Sequence, residues 1–189
     1  DALVLKVAPK SAVVIDTGPE PKLIDQCLKT LSISQIPLLI ITHPHADHIG
    51  GLSGALHNRK VGRVLQSATR GEVLQVGKMR IEILWPDGAA HIFTDTGGEG
   101  SAINNQSIVA LISTPIYKLL ATGDAEPDVQ SLLTPPKVDY LKVAHHGSKY
   151  QDRRFNALAD PTVAIISVGV GNKYGHPADS TLRLFKKVL

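Results

Sequence analysis

Short apolar runs rich in β-branched residues alternate along the chain with stretches of helical periodicity. Runs of four to eight such residues bounded by turn-forming residues are typical of β-strands. The predicted strands are residues 2–7, 12–15, 38–41, 63–66, 72–76, 80–84, 107–113, 117–121, 140–143 and 162–168. The predicted helices are residues 21–31, 47–56, 126–133, 152–158 and 179–188, and the first of them begins at a proline.

The connections between these elements indicate how the strands pair. Strands joined by short loops must pair antiparallel, whereas strands separated by a helix can pair in parallel. We therefore expect an α/β fold with two mixed β-sheets and helices on the outside. Residues 89–105 are rich in Gly, Thr and Asp with little periodicity, which predicts a long surface loop.

Composition supports a folded domain of ordinary type. The chain has 189 residues, of which 43% are hydrophobic and 20% charged, and its longest apolar runs fall far short of the roughly 20 residues that cross a bilayer. The pattern contains no repeat and no boundary, so we expect residues 1–189 to form one domain. Because the chain opens at Asp1 without a signal peptide and stops at Leu189 inside a predicted helix, we expect a domain cut from a longer protein.

Charge and cysteine content narrow the chemistry. The formal charge of +3 permits an anionic substrate without requiring one. Cys27 is the only cysteine, which excludes an intrachain disulfide and a cysteine-based metal cluster. Any metal chemistry must therefore rely on histidines and carboxylates.

Five of the eight histidines lie in two short clusters, each directly after a predicted strand. The first cluster, residues 42–48, reads THPHADH. In an extended chain its His-x-His places both imidazoles on one side, and the following turn brings an aspartate and a third histidine beside them. The second cluster, residues 145–148, reads HHGS, and its glycine allows a tight turn toward a ligand. This density of ligand-type side chains predicts a metal site.

Two aspartates also follow apolar runs, Asp16 in VIDTG and Asp124 in LATGD. Aspartate beside glycine is common in ordinary turns, so each alone says little. Together with the histidine clusters, both become candidate members of the same site.

These motifs resemble, in order and across nearly the whole chain, those of the metallo-β-lactamase superfamily. Their wording is more similar still to the metallo-β-lactamase-like domain of the ComEC family of DNA-uptake channel proteins. The motifs that carry this resemblance are IDTGP at 15–19, THPHADHIGG at 42–51, NQS at 105–107, LLATGD at 119–124, HHGS at 145–148 and NKYGHP at 172–177. The resemblance implies an αββα sandwich of two mixed sheets flanked by helices, with a two-metal site at one edge of the sheets.

Carried over residue by residue, the resemblance implies a ligand set for two ions. His43 and His45 would bind one metal ion, Asp47 and His48 the other, and Asp124 would bridge them. The two ions would be Mn²⁺ or Zn²⁺.

The second histidine cluster and Asp16 also have inferred roles at the site. Adjacent residues of an extended segment point opposite ways, so only one of His145 and His146 is expected to complete the second ion's site, and we prefer His145. Asp16 is expected to hold a ligand imidazole in its correct tautomer.

The sequence departs from the superfamily in one respect. Many members supply a further histidine between the first motif and the bridging aspartate, but only His57 and His91 are available here, and neither follows a predicted strand. The matching stretch carries Asn105 instead, which we expect beside the site. An oxygen-richer site favours Mn²⁺, whereas the Irving–Williams order favours Zn²⁺.

A two-metal site supports hydrolysis of phosphodiesters, and the resemblance implies a nuclease that degrades one strand of DNA during uptake in natural transformation. Asp47 is expected to orient the attacking water. His176 and Lys149 are candidate catalytic groups that would donate a proton or stabilise negative charge. Ser148 and Lys173 are candidate contacts to the substrate phosphate.

The resemblance also implies partners and a place in the cell. The partners would be DNA, in single-stranded form, and the other domains of a parent protein in the cytoplasmic membrane, with this domain on the extracytoplasmic side and free of lipid contact. Two alternatives stay open: hydrolysis of a small ester, lactone or lactam on the same metals, and a non-catalytic DNA-binding module whose metals are structural.

Overall fold

Ten strands and six α-helices make up the part of the chain that the computed structural model describes, residues 1–93 and 102–189. The predicted loop at 89–105 lies partly outside these ranges. The strands are β1 Leu3–Ala8, β2 Ser11–Ile15, β3 Gln35–Ile40, β4 Lys60–Leu65, β5 Val73–Val76, β6 Met79–Trp85, β7 Val109–Ser113, β8 Lys118–Ala121, β9 Tyr140–Lys142 and β10 Val163–Ile165. The helices are α1 Pro21–Thr30, α2 Ala46–Ile49, α3 Leu52–Leu56, α4 Pro127–Leu132, α5 Arg153–Ala159 and α6 Asp179–Leu182, with short 3₁₀ helices at Asn104–Gln106 and His145–Gly147.

The strands form two sheets, and both are mixed. The first has the order β1-β2-β3-β4, in which β1 runs antiparallel to β2 while β2, β3 and β4 are parallel. The second has the order β10-β9-β8-β7-β6-β5, in which β8, β9 and β10 are parallel and the remaining neighbours antiparallel. The expected α/β fold with two mixed sheets is confirmed.

The central strands of both sheets are buried on both faces, which explains their continuous apolar runs. In β2, Val13 packs between the two sheets, while Val14 packs against α1 on the outer face. In β7, Ile112 packs between the sheets and Leu111 packs on the outer face toward α5. Because neighbouring side chains of a strand alternate, each sheet joins a shared inner core to its own outer helical layer, giving the αββα order.

The predicted helix at 47–56 is instead two short helices, α2 and α3, separated at Gly50 and Gly51. A Cβ at Gly51 would lie 2.1 Å from the Thr17 carbonyl oxygen, and one at Gly50 would lie 2.4 Å from the Pro19 carbonyl oxygen. The two glycines thus let this segment lie directly against the turn that carries Asp16.

The prediction of a last helix at 179–188 is wrong in extent, since α6 ends at Leu182. Val188 instead forms a parallel bridge with Ala164 of β10, and the Leu189 amide donates to the Ala164 carbonyl at 2.9 Å. Apolar periodicity alone does not distinguish such a segment from a helix. Among the described residues, no helix has both the length and the apolar character needed to span a membrane.

Candidate metal centre

The side chains singled out in the sequence follow the ends of four strands. Asp16 follows β2, the segment 42–48 follows β3, Asp124 follows β8 and His145 follows β9. Within each sheet these strands are parallel neighbours, so their carboxyl ends meet at one edge. One backbone bond joins the edges of the two sheets, because Ile108 N–H donates to the Thr42 carbonyl at 2.9 Å. Within the second sheet, His145 N–H donates to the Gly123 carbonyl at 3.2 Å.

Asp16 fixes the orientation of one imidazole. It has a φ of 58°, in the left-handed region that Asp and Asn adopt more readily than most residues. One carboxylate oxygen accepts the Thr42 N–H at 2.7 Å, and the other accepts the Thr42 hydroxyl at 2.9 Å and lies 2.8 Å from His48 Nδ1. With Nδ1–H directed at Asp16, the Nε2 of His48 is turned toward the other candidate ligands.

His48 and three further side chains, those of Asp47, Asp124 and His146, form a group of four around this nitrogen. His48 Nε2 lies 3.2 Å from Asp124 Oδ1 and 3.3 Å from Asp47 Oδ2. His146 Nε2 approaches the same two carboxylates, at 2.8 Å from Asp47 Oδ2 and 3.5 Å from Asp124 Oδ2. Each of the four residues offers a ligand atom within 4.8 Å of the others, a spacing suited to one metal ion.

A second pair of ligand atoms lies beside this group. His43 Nε2 is 3.1 Å from His45 Nδ1 and 3.9 Å from Asp124 Oδ2. Asp124 therefore lies between the two groups, where a carboxylate could contact an ion on either side.

Ser107 supports both groups and was missed by the sequence analysis, which singled out Asn105 nearby. The Ser107 hydroxyl lies 3.2 Å from His43 Nδ1 and accepts the Asp124 N–H at 3.0 Å. It therefore links an imidazole of one group to the backbone of the shared aspartate. The NQS motif contained this residue, but without the structure nothing separated its serine from its asparagine.

The chemistry of these side chains fits a divalent cation. His48 Nε2 and Asp124 Oδ1 are buried atoms without a hydrogen-bond partner among the described residues. Leaving such atoms unsatisfied costs free energy, and a bound cation would satisfy both. Imidazole nitrogens and carboxylate oxygens are also ligands that Zn²⁺ and Mn²⁺ use in proteins.

Burial and neighbouring charges set the protonation of the two buried imidazoles in opposite directions. Burial lowers the pKa of His43 to about 3, and the nearby His48 adds to that effect. Burial by itself would lower the pKa of His48 too, but the carboxylates of Asp124, Asp16 and Asp47 outweigh it and raise that pKa to about 11. Without metal, a proton on His48 thus supplies positive charge where a cation would bind.

The two carboxylates of the four-residue group stay ionised. Burial would raise the pKa of Asp47, but the neighbouring His146 and His48 outweigh it and lower the pKa below its ordinary range. For Asp124 burial again acts upward, and His48 chiefly overcomes it, so the pKa is lowered there as well. Both side chains are therefore available as anionic ligands.

The preference for His145 does not fit the geometry, because the structure brings His146 to the four-residue group. His145 Nδ1 lies 2.7 Å from Glu126 Oε1, and the Asn104 side-chain amide donates to the same oxygen at 3.0 Å. Both histidines have positive φ, 46° and 53°, so the segment is not the extended chain that the sequence argument assumed.

Asn105 and Ser148 lie close in sequence to the site but have other contacts. The Asn105 side-chain oxygen accepts the Glu126 N–H at 3.0 Å, and its carbonyl accepts the Trp85 indole N–H at 2.8 Å. Ser148 is completely buried, and its hydroxyl accepts the Tyr150 N–H at 3.1 Å. Asn105 thus shapes the loop after Asp124, and in this conformation Ser148 does not present its hydroxyl to a phosphate.

The other predicted catalytic and phosphate-contacting residues are His176, Lys149 and Lys173. His176 is largely buried, with its ring centroid 6.2 Å from that of His146. Lys149 and Lys173 are exposed. Lys149 directly follows residues 145–148 in the chain, and Lys173 lies three residues before His176.

Comparison with known proteins identifies a family and several relatives that the chain resembles. A family model described as the metallo-beta-lactamase superfamily matches residues 1–170. ComE operon protein 3 (ComEC) of Bacillus subtilis strain 168 is 31% identical to the chain over 190 residues, which cover 85% of this chain and 23% of that protein. Recombination protein 2 of Haemophilus influenzae is 30% identical over 159 residues, which cover 76% of this chain and 19% of that protein.

The chain therefore spans less than a quarter of the length of these two relatives. Among solved structures, the metallo-beta-lactamase fold protein YhfI from Bacillus subtilis has a TM-score of 0.59 and 11% sequence identity to this chain. That match covers 100% of this chain and 87% of YhfI, so the two share a fold.

Proposed function

The chain belongs to the metallo-beta-lactamase superfamily, and from that premise we propose that it hydrolyses DNA phosphodiesters at a centre of two divalent metal ions. The observation that carries the proposal is the convergence of two groups of ligand atoms on Asp124. In this assignment His43 and His45 would hold one ion, Asp47, His48 and His146 would hold the other, and Asp124 would be a ligand available to both.

Divalent ions held there would supply Lewis acidity and lower the pKa of a water molecule, so that hydroxide is available near neutral pH to attack a phosphodiester. Asp47 is the ligand best placed to orient that water, because its side chain is 44% exposed while those of His48 and Asp124 are buried. Its contact with His146 at 2.8 Å holds the carboxylate in place. The carboxylate therefore faces the side from which substrate would enter.

Exposed cationic side chains near the candidate ligands in the chain favour a phosphodiester substrate over a small ester or lactam. Lys149 and Lys173 are exposed and adjoin the segments that carry His146 and His176, and lysines of this kind could contact a phosphate backbone. His176 stands beside His146, close enough to the ligands to donate a proton to the leaving oxygen or to contact the phosphate.

The similarity to ComE operon protein 3 supports a role in DNA uptake. We infer that the domain belongs to a parent protein of the cytoplasmic membrane and meets incoming DNA on the extracytoplasmic side. One strand would be degraded there, with Mn²⁺ or Zn²⁺ as the metal. The domain itself would have no contact with lipid.

A cleavage assay on metal-stripped protein tests this function. Labelled single-stranded and duplex DNA are incubated with the protein after separate addition of Mn²⁺, Zn²⁺ or Mg²⁺. We expect metal-dependent cleavage that Asp124→Asn abolishes. The control is Asp160→Asn, which removes an exposed carboxylate that pairs only with Lys137 among its described ion pairs.

Adding a panel of small substrates to this assay distinguishes the nuclease from a small-molecule hydrolase and from a non-catalytic DNA-binding module. Hydrolysis of a panel of esters, lactones and lactams without DNA cleavage would replace the nuclease by a small-molecule hydrolase. Binding of DNA without turnover of any substrate under any metal would favour a non-catalytic module, in which the metals fill every coordination position.

A further inference from the structure

Three rings form a column from the candidate metal centre to the surface. The centroids of His146 and His176 are 6.2 Å apart with planes inclined by 23°, and Tyr174 continues the column, 6.2 Å from His176 and inclined by 22°. His176 is 9% exposed, whereas Tyr174 is 71% exposed. The column thus ends in an exposed aromatic ring, separated from His146 by His176, whose ring also lies 5.3 Å from that of His145.

The local backbone ties this column to the centre. The Asn172 side-chain amide donates to the His176 carbonyl at 2.8 Å, and its oxygen accepts the His176 N–H at 3.3 Å. Ala178 N–H donates to the Gly147 carbonyl at 2.9 Å. The segment that carries Tyr174 is therefore fastened to the turn that carries His146.

Each of two exposed tyrosines, Tyr174 and Tyr150, follows a lysine in the chain. Lys173 precedes Tyr174 in the chain and is exposed, and Lys149 Nζ lies 5.1 Å from the centroid of Tyr150, which is 37% exposed. Aromatic residues are only 4% of the chain, so two exposed tyrosines that each follow a lysine, in the segments next to His146 and His176, are a distinctive feature. Aromatic faces for bases together with cations for the backbone are the arrangement by which proteins bind single strands.

We propose that Tyr174 is a stacking platform for an unpaired base of single-stranded DNA next to the bond that is cut, with Lys173 contacting the adjoining phosphate. His176 supports the ring from the protein side and fixes its distance from the centre. The proposal rests on the proposed DNA substrate and extends it, because it assigns the preference for a single strand to particular residues. In a duplex each base is already stacked and paired, so it offers no free face to this ring without being unstacked.

Binding measured without turnover tests the platform. Fluorescence anisotropy in EDTA follows a short labelled strand of mixed sequence and the matching blunt duplex as each variant is added. We expect Tyr174→Ala to weaken single-strand binding about 5- to 150-fold, the range typical for loss of one stacked base, and to change duplex binding less than about twofold. Tyr174→Phe keeps the ring and should bind as the wild type does.

Two further variants complete the design. Tyr140→Ala removes another partly exposed tyrosine, which packs on Tyr117 at the start of β9, and it should leave binding unchanged. Lys173→Ala should reduce the steepness of the salt dependence of binding by about one phosphate contact. Circular dichroism of each variant checks the fold.

The outcomes separate this proposal from the nuclease itself. Unchanged single-strand binding by Tyr174→Ala, equal weakening of strand and duplex binding, or failure of the wild type to bind single strands would overturn the platform. If DNA is never cleaved but Tyr174→Ala still weakens single-strand binding selectively, the nuclease proposal fails and the platform stands. If cleavage is metal-dependent and Tyr174→Ala alters neither binding nor cleavage, only the platform fails.

Discussion

Substitution of Asp16 by asparagine perturbs the proposed centre without touching a proposed ligand. Asparagine has the same shape and tolerates the φ of 58° found at this position. The carboxylate accepts the Thr42 N–H at 2.7 Å and lies 2.8 Å from His48 Nδ1. An amide has only one oxygen, so it cannot serve both donors as the carboxylate does.

Either orientation of the amide has a cost. With its oxygen toward Thr42 N–H, its NH₂ faces His48 Nδ1, and the imidazole must then carry its hydrogen on Nε2, the nitrogen that faces Asp124. With the amide reversed, a buried backbone N–H loses its acceptor, which costs about 1–3 kcal/mol. Loss of a group that orients a ligand histidine typically lowers metal affinity 10- to 100-fold, or about 1.4–2.8 kcal/mol.

Calorimetric titration of metal-stripped protein with Zn²⁺ and with Mn²⁺ measures this effect. Asp160→Asn is the matched control, because Asp160 also has a positive φ, 38°, but forms an exposed ion pair with Lys137. We expect the loss of affinity only in Asp16→Asn, with both variants folded. Wild-type affinity in Asp16→Asn, or an equal loss in the control, would refute the role assigned to Asp16.

Two further predictions concern pH and packing. In the metal-free protein the pKa of His48 is raised from 6.5 to about 11, so its contribution to the free energy of unfolding is complete below pH 6.5 and declines as the pH rises above it. The pKa of His43 is instead lowered from 6.5 to about 3, so its contribution to the free energy of unfolding is lost as the pH falls below 6.5. Urea titrations across this range should show that these two histidines stabilise the fold most near pH 6.5. A free energy of unfolding that stays constant from pH 4 to 9 would contradict these two pKa shifts. Gly123→Ala should lower the melting temperature and metal affinity, since its Cβ would lie 2.8 Å from the Ser107 hydroxyl oxygen. Gly71→Ala, also at positive φ but with open space around its Cβ, should show only the backbone strain of about 1–2 kcal/mol.

The strands were predictable because their physical origin is local. Each apolar run of the sequence corresponds to a strand, and in β2 and β7 the continuous run reflects burial on both faces. The helices were less predictable where tertiary contacts decide. Gly50 and Gly51 interrupt a helical pattern because carbonyl groups of the Asp16 turn approach them, and Val188 leaves the helix pattern to pair beside β10.

In the candidate centre too, the local features were predictable from the sequence and those that depend on tertiary contacts were not. The spacing of histidines within residues 42–48 is a local signal, and the structure brings those side chains together. The choice between His145 and His146 depends on two positive φ values that no spacing reveals. Ser107 reaches the centre only through its contacts with His43 and with the Asp124 backbone, and these depend on how the two sheets meet.

Simultaneous measurement of bound metal and of DNA cleavage tests whether a two-metal centre of this domain cleaves DNA. Mn²⁺ or Zn²⁺ is added stepwise to the metal-stripped protein, and the equivalents bound and the rate of single-strand cleavage are recorded at each step. We expect cleavage to rise as two equivalents bind and Asp124→Asn to lose both metal affinity and cleavage. Full metal occupancy without cleavage of any DNA, or cleavage that persists after the metal is removed, would contradict this expectation.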